Sequence, residues 1–216
     1  MTFAATSSFS RRRILAAAAA LLAPGWVRAA ARPLVVTILG DSITAGHGLQ
    51  ARDALPAQLQ AALRTMGVAA VVRGAGVSGD TTAGGLARAD FSVQADTSVC
   101  VVALGGNDLL QGLDPRAMRS NLQRIVQRLK ARRIGVVLCG LRAPASLSRS
   151  YARDFNAVFP AVAQSERVAL DPDLLAGVAQ TAGLNQADGL HPNPRGVKIV
   201  AARLAPIVAR ALKARR

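Results

Sequence analysis

Short apolar runs alternate with longer amphipathic segments along the whole chain after residue 31, and this alternation constrains the fold more than any other feature. Apolar runs rich in β-branched residues occur at 34–39, 69–72, 99–104, 134–141 and, more weakly, 168–170. Segments with helical spacing occur at 51–66, 81–90, 115–133, 152–164 and 194–213. Strands that are apolar throughout and separated by helices are typical of a parallel sheet covered on both faces. We therefore expect one three-layer α/β domain over residues 32–216, with about five strands.

The first 31 residues do not belong to this pattern. Three arginines, Arg11–Arg13, precede an uncharged run over 14–23 that is too short to cross a bilayer, and small residues follow at 29–31. These parts predict an export signal over residues 1–31, with the export machinery as a partner. Ser10–Leu15 resembles a twin-arginine signal, which exports a folded protein, and an ordinary Sec signal is the alternative. Either route predicts a bacterial protein that is periplasmic or secreted.

The chain is strongly basic, with a net charge of +15, of which four positive charges lie in the export signal. The other arginines are scattered along the predicted helices, and aromatic residues make up only 3% of the chain. Nucleic-acid-binding surfaces combine clustered cations with stacking aromatics, so the composition indicates no nucleic-acid partner. We expect at most loose contact with an anionic membrane or cell wall.

The chain has too few cysteines for a disulfide framework and too few cysteines and histidines for a metal centre. Cys100 and Cys139 lie in two different apolar runs, which favours buried free thiols over a disulfide. The chain has two histidines, His47 and His191, and no cluster of cysteine and histidine. We therefore predict no metal site.

The loops after the strands carry the candidate chemistry, because ligands bind at the carboxyl ends of the strands in sheets of this type. Ser42 follows the first apolar run, where its hydroxyl could act as a nucleophile or simply cap a helix. Thr44 replaces the second glycine of the nucleophile elbow G-x-S-x-G, which disfavours an ordinary α/β-hydrolase. Asn107 follows the third run, and its amide is a suitable donor to an oxyanion, although a turn or cap is the commoner use of asparagine.

The segment Gly74–Gly79 matches the dinucleotide-binding pattern G-x-G-x-x-G. That function needs an acidic residue near the end of the following strand, but the next apolar run ends in Ala103 and Leu104. We therefore expect no dinucleotide cofactor. The other use of Gly79 is a bare backbone N–H that can approach an oxyanion.

Near the C-terminus, Asp188 and His191 stand three residues apart on a predicted turn. At this spacing the carboxylate can orient one ring nitrogen while the other faces a nucleophile. The rival histidine, His47, has no carboxylate at an equivalent spacing. Each candidate residue alone is a weak signal, but together they fall in loops that one parallel sheet would gather into one pocket.

These motifs together resemble the four sequence blocks of the SGNH/GDSL hydrolases, which contribute Ser, Gly, Asn and His. The blocks correspond in order to 38–46, 74–84, 102–108 and 188–194. Similarity also covers 141–144 and 151–156, and it is greatest to the small periplasmic acyl-ester hydrolases known as arylesterase, lysophospholipase and acyl-CoA thioesterase. Ile43 departs from the family pattern, which has leucine there, but the change is apolar for apolar.

The resemblance implies a flavodoxin-like sheet of order 2-1-3-4-5 and a serine esterase without metal or cofactor, acting on a small acyl-ester or lipid substrate. Ser42 would be the nucleophile, His191 the general base and Asp188 its orienting acid. The oxyanion donors would be the backbone N–H groups of Ser42 and Gly79 and the amide of Asn107. We expect a monomer.

Two alternatives remain open from the sequence. One is a carbohydrate O-acetyl esterase of the same fold, although few aromatic residues are present to hold a sugar. The other is a protein that binds an acyl ligand without turnover, which would leave Ser42, Asp188 and His191 without a shared purpose.

Overall fold

The computed structural model describes residues 33–215 together with Met1 and Thr2. The predicted export signal over 1–31 lies outside the described residues, apart from those first two. Five parallel strands form the sheet: β1 (Leu34–Gly40), β2 (Ala70–Gly76), β3 (Val99–Ala103), β4 (Gly135–Cys139) and β5 (Ala169–Asp171). Their order is β2-β1-β3-β4-β5, with every neighbouring pair parallel. The predicted number, direction and order of strands are confirmed.

Helices connect the strands. The longer ones are α2 (Leu55–Thr65), α3 (Thr82–Ser92), α5 (Pro115–Ala131), α6 (Arg149–Glu166) and α7 (Pro194–Lys213). Two short helices, α1 (Ser42–Ala45) and α4 (Gly106–Leu110), begin the loops after β1 and β3. No helix in the described part of the chain is long and apolar enough to span a membrane.

Two apolar cores lie on the two faces of the sheet, as three layers require. Alternate residues of β3 divide between them: Val101 belongs to the core beneath α2 and α7, while Cys100 and Val102 belong to the core beneath α3, α5 and α6. The β3 side chains are all buried, because a central strand is covered on both faces. This explains why the third apolar run is continuous in the sequence.

The second strand extends further than its sequence predicts. The prediction ended it at Val72 and placed Gly74 and Gly76 in a loop, but β2 includes both glycines. A Cβ atom at Gly76 would lie 2.3 Å from the backbone nitrogen of Ala45, and one at Gly74 would lie 2.8 Å from the Pro56 side chain. These glycines therefore let α1 and α2 pack directly over the edge strand, which is the close backbone approach that glycine permits.

The predicted helix over 51–66 is divided. A 3-10 turn covers Ala51–Asp53, and α2 begins only at Leu55. Pro56 occupies the first turn of α2, where its missing N–H leaves no helical hydrogen bond unmade.

Both cysteines are buried free thiols, as predicted, and they lie in the two different cores. Burial raises the pKa of Cys100 to about 12 and that of Cys139 well above its usual value. Because the thiolate is the reactive form, both groups are inert in the folded protein.

Candidate active site

Ser42 is the first residue of α1, immediately after the carboxyl end of β1. Asp41 caps this helix, since its Oδ1 accepts the Ile43 N–H at 3.0 Å. A Cβ atom at Gly40 would lie 2.9 Å from the Ala103 carbonyl oxygen and 2.1 Å from Thr44 Oγ1, so only glycine allows the turn to close against β3. The G-D-S sequence thus places the Ser42 hydroxyl at the edge of the sheet.

The Ser42 hydroxyl lies 2.9 Å from Nε2 of His191, a residue 149 positions further along the chain. The other ring nitrogen of His191, Nδ1, lies 2.6 Å from Oδ2 of Asp188. Oδ1 of Asp188 accepts the backbone N–H of His191 at 3.0 Å and that of Leu190 at 2.9 Å. The three predicted residues therefore form one continuous chain of hydrogen bonds.

These contacts fix the charge of Asp188. The His191 side chain, followed by the backbone N–H groups of His191 and Leu190, holds the pKa of the Asp188 carboxyl well below its usual range. The carboxylate consequently stays ionised at neutral pH. It can accept a hydrogen bond from Nδ1–H of His191, and in that tautomer Nε2 is free to take a proton from Ser42.

Asn107 is the second residue of α4. The residue that precedes this helix, Gly105, has a positive φ of 117°. The side-chain amide of Asn107 donates to the Asp80 carbonyl at 2.8 Å. Gly79, with a φ of 83°, directly precedes Asp80. The loop that carries Gly79 is therefore hydrogen-bonded to Asn107 through Asp80, the residue after Gly79.

A cavity of 380 Å³ opens beside Ser42. Ser42, Asn107 and His191 line it, whereas Gly79 and Asp188 are not among the lining residues. Most of its wall is apolar and comes from three loops, with contributions from Leu109, Leu110, Leu141, Ala143, Pro144, Leu175, Ala179 and Leu190. The structure thus places a serine hydroxyl, an imidazole ring and a side-chain amide at one end of an apolar cavity.

Comparison with known proteins identifies the family. The model of the GDSL-like lipase/acylhydrolase family matches residues 38–199, which include every site residue named above. The chain belongs to this family.

Characterised relatives support the same grouping. The chain is 38% identical to esterase TesA of Pseudomonas aeruginosa over 186 residues, covering 84% of this chain and 92% of the relative. It is 36% identical to thioesterase 1/protease 1/lysophospholipase L1 of Escherichia coli K12, covering 77% and 78% of the two chains. The crystal structure of TesA superposes with a TM-score of 0.78 at 35% identity, covering 82% of this chain and 99% of that one.

Asp41, the aspartate of the GDSL motif, has an environment opposite to that of Asp188. It lines the cavity but is only 4% exposed, and burial raises the pKa of its carboxyl to about 6. The hydrogen bond from the Ile43 N–H opposes this rise in the pKa of Asp41. The sequence interpretation gave Asp41 no role, although the motif name itself points to the residue.

Sequence reasoning also missed Gln186. Its side-chain amide donates to the carbonyl of His47 at 2.8 Å and to that of Pro192 at 3.1 Å, so it joins the segment after Ser42 to the segment after His191. His47 itself packs its ring against that of His191, with the centroids 4.6 Å apart. A single glutamine in a polar loop carries no sequence signal for such a contact.

We expect Asp41→Asn to stabilise the folded protein at neutral pH. The raised pKa means that ionising the buried carboxyl costs free energy of folding, a cost absent below the unfolded-state pKa of 3.8 and complete above about 6. Asparagine keeps the oxygen that accepts the Ile43 N–H. Urea unfolding should therefore show a gain of up to about 3 kcal/mol at about pH 7.5 and a smaller one at about pH 4.5. A gain that is equal at both pH values would contradict this account.

Proposed function

We propose that this member of the GDSL family is a serine esterase in which Ser42 forms a covalent acyl-enzyme. The observation that carries the proposal is the continuous hydrogen-bonded chain from Ser42 Oγ through His191 to Asp188, with distances of 2.9 Å and 2.6 Å. A helix-capping role for Ser42 would not explain why an imidazole and a carboxylate are aligned with its hydroxyl.

Acylation begins when His191 Nε2 accepts the Ser42 proton as the hydroxyl oxygen attacks the ester carbonyl carbon. The imidazolium that forms is stabilised by the ionised Asp188. The tetrahedral intermediate then collapses, the bond to the leaving group breaks, and His191 returns the proton to the departing alcohol or thiol. Water, activated by His191 in the same way, hydrolyses the acyl-enzyme and regenerates Ser42.

The carbonyl oxygen becomes negatively charged during both acylation and hydrolysis of the acyl-enzyme, and hydrogen-bond donors must stabilise this charge. We assign the role of donor to the backbone N–H groups of Ser42 and Gly79 and to the Asn107 amide. Asn107 has two amide hydrogens, so it can donate one to Asp80 and keep the other for the oxyanion. In the described part of the chain, the Gly79 N–H donates to no protein acceptor. These features support preorganised stabilisation of the oxyanion.

The apolar wall of the cavity favours an acyl chain over a polar sugar. We propose that the substrates are carboxylic esters or thioesters with an apolar acyl group, such as aryl esters, lysophospholipids or acyl thioesters. The names of the relatives, which include esterase, thioesterase and lysophospholipase, agree with this range.

We further propose that residues 1–31 direct export from the cytoplasm, on the basis of the arginine, apolar and small-residue pattern in the sequence.

Replacing Ser42 with alanine should abolish hydrolysis of p-nitrophenyl butyrate while leaving the fold intact, because only the nucleophilic oxygen is removed. The variant should also lose labelling by a fluorophosphonate, detected as an adduct by mass spectrometry. Ser120→Ala, which changes an exposed serine of α5, is the matched control and should behave as the wild type. Wild-type turnover by the Ser42 variant would rule out Ser42 as nucleophile.

Replacing Asn107 with alanine should lower kcat by about a hundred-fold or more, since one oxyanion donor is lost. KM should change little, because the donor acts mainly in the transition state. Steady-state kinetics on p-nitrophenyl butyrate measure both constants. An unchanged kcat would remove Asn107 from the oxyanion site.

Expression of the full chain in a bacterium should yield an extracytoplasmic protein cleaved after Ala29 or Ala31. Intact mass and N-terminal sequencing of the periplasmic fraction identify the site. Replacing both Arg11 and Arg12 with lysine should retain the precursor in the cytoplasm if the twin-arginine route is used. Uncleaved protein found only in the cytoplasm would overturn the export proposal.

A further inference from the structure

Arg88, on α3, occupies the centre of a hydrogen-bond network that the proposed mechanism leaves unexplained. Its Nε donates to Asp80 Oδ2 at 2.7 Å, and Nη2 donates to the Gly40 carbonyl at 2.8 Å. Nη1 donates to the Ala75 carbonyl at 2.9 Å and to Ser92 Oγ at 3.2 Å. The guanidinium thus joins α3 to the carboxyl ends of β1 and β2 and to the loop after β2.

The network is largely shielded from water. The side chains of Arg88 and Asp80 are only 19% and 11% exposed. A guanidinium is planar and presents its donors in a fixed fork, so partners held by different nitrogens are fixed relative to one another. An ion pair at this depth is costly unless most of its hydrogen-bonding groups are satisfied, and here the three nitrogens make four hydrogen bonds.

Two of the partners that Arg88 holds, the Gly40 carbonyl and Asp80, are close in sequence or in space to the proposed oxyanion donors. Gly40 precedes Ser42 by two residues, and its carbonyl also accepts the Val77 N–H at 3.1 Å. Asp80 directly follows Gly79. The Asp80 carbonyl accepts the amide of Asn107. The three donors come from three separate loops, and the Arg88–Asp80 pair connects all three.

We propose that Arg88 is a positioning residue that fixes the three oxyanion donors relative to one another. It does not line the cavity, so it acts on the substrate only through the donors. A donor displaced by a fraction of an ångström loses much of its effect on the transition state while still admitting the substrate. The inference rests on the proposed roles of Ser42, Gly79 and Asn107 and goes one step beyond them.

Two substitutions of Arg88 distinguish its role in positioning the donors from the effect of its positive charge. Arg88→Lys keeps the positive charge but has one nitrogen in place of three, so it cannot reproduce the fork between Asp80 and Gly40. Arg88→Met removes the charge as well. Both should lower kcat on p-nitrophenyl butyrate by about tenfold to a hundred-fold and leave KM within about twofold of the wild type.

Arg128→Met is the matched control. Arg128, on α5, also fixes α3, because Nη1 donates to the Leu86 carbonyl and to Asp90, both at about 3.2 to 3.3 Å, but it contacts none of the three donor loops. Its loss should change kcat by less than about twofold. Urea midpoints of all variants show whether a loss of kcat merely follows a loss of stability.

Inhibition by an arylboronic acid tests the position of the donors directly. If Arg88 had only a structural role, its replacement would leave the inhibition constant unchanged. The boronic acid adds to the serine oxygen and places a charged tetrahedral oxygen among the donors, so its inhibition constant should rise in parallel with the fall in kcat. If Arg88→Met does not fold, Arg88→Lys alone decides. Wild-type kcat and inhibition in Arg88→Lys, or an equal loss in Arg128→Met, would overturn the inference.

The same experiments distinguish this inference from the proposed function. If Ser42→Ala is inactive while the Arg88 variants match the wild type, only the positioning role fails. If Ser42→Ala retains activity, the proposed function fails irrespective of Arg88.

Discussion

The hydrogen bond between Ser42 and His191 depends on nearly the whole domain, because the two residues are 149 positions apart. Ser42 is held at the end of β1, near the middle of the sheet, and His191 comes from the loop that leads into α7. That loop is brought back over the sheet because α7 packs on the core that also contains β1 and β3 residues. Contacts at the loop ends, such as the Gln186 amide between His47 and Pro192, then set the final approach.

The two aspartates near this contact, Asp188 and Asp41, have pKa values that their environments shift in opposite directions. Asp188 is exposed and accepts three hydrogen bonds, so ionisation of its carboxyl costs little free energy and the carboxylate persists. Asp41 is buried, and the effect of burial on its pKa exceeds that of its backbone hydrogen bonds. Asp188 therefore keeps an ionised carboxylate beside the His191 imidazole, whereas the buried Asp41 carboxyl mainly shapes the turn that carries Ser42.

The sequence alone predicted the class of the fold, because central strands buried on both faces must be apolar throughout, as β3 is. The family resemblance supplied the strand order, and the structure and relatives confirm both fold and family. The bounds of β2 were wrong because Gly74 and Gly76 have no side chains to pack, and apolar patterning is silent about them. Of the residues named from the sequence, Ser42, His191 and Asp188 are joined by hydrogen bonds, and Asn107 lines the same cavity as Ser42. Gly79 does not line the cavity, and its roles and theirs stay predictions. The contacts of Arg88 and Gln186 were missed. Their contacts join segments far apart in sequence, and neither residue type at these positions signals its partners.

The placement of Cys100 and Cys139 on opposite faces of the sheet has a consequence for oxidation. A polypeptide that reaches an oxidising compartment unfolded exposes both thiols to disulfide-forming enzymes, which can link them to each other or to another molecule. Once the sheet has closed, each sulfur is enclosed in its own core and the layer of backbone between them prevents a bridge. The order of events, folding before oxidation or the reverse, therefore decides whether the chain keeps two thiols or is trapped by a crosslink that the native structure cannot contain.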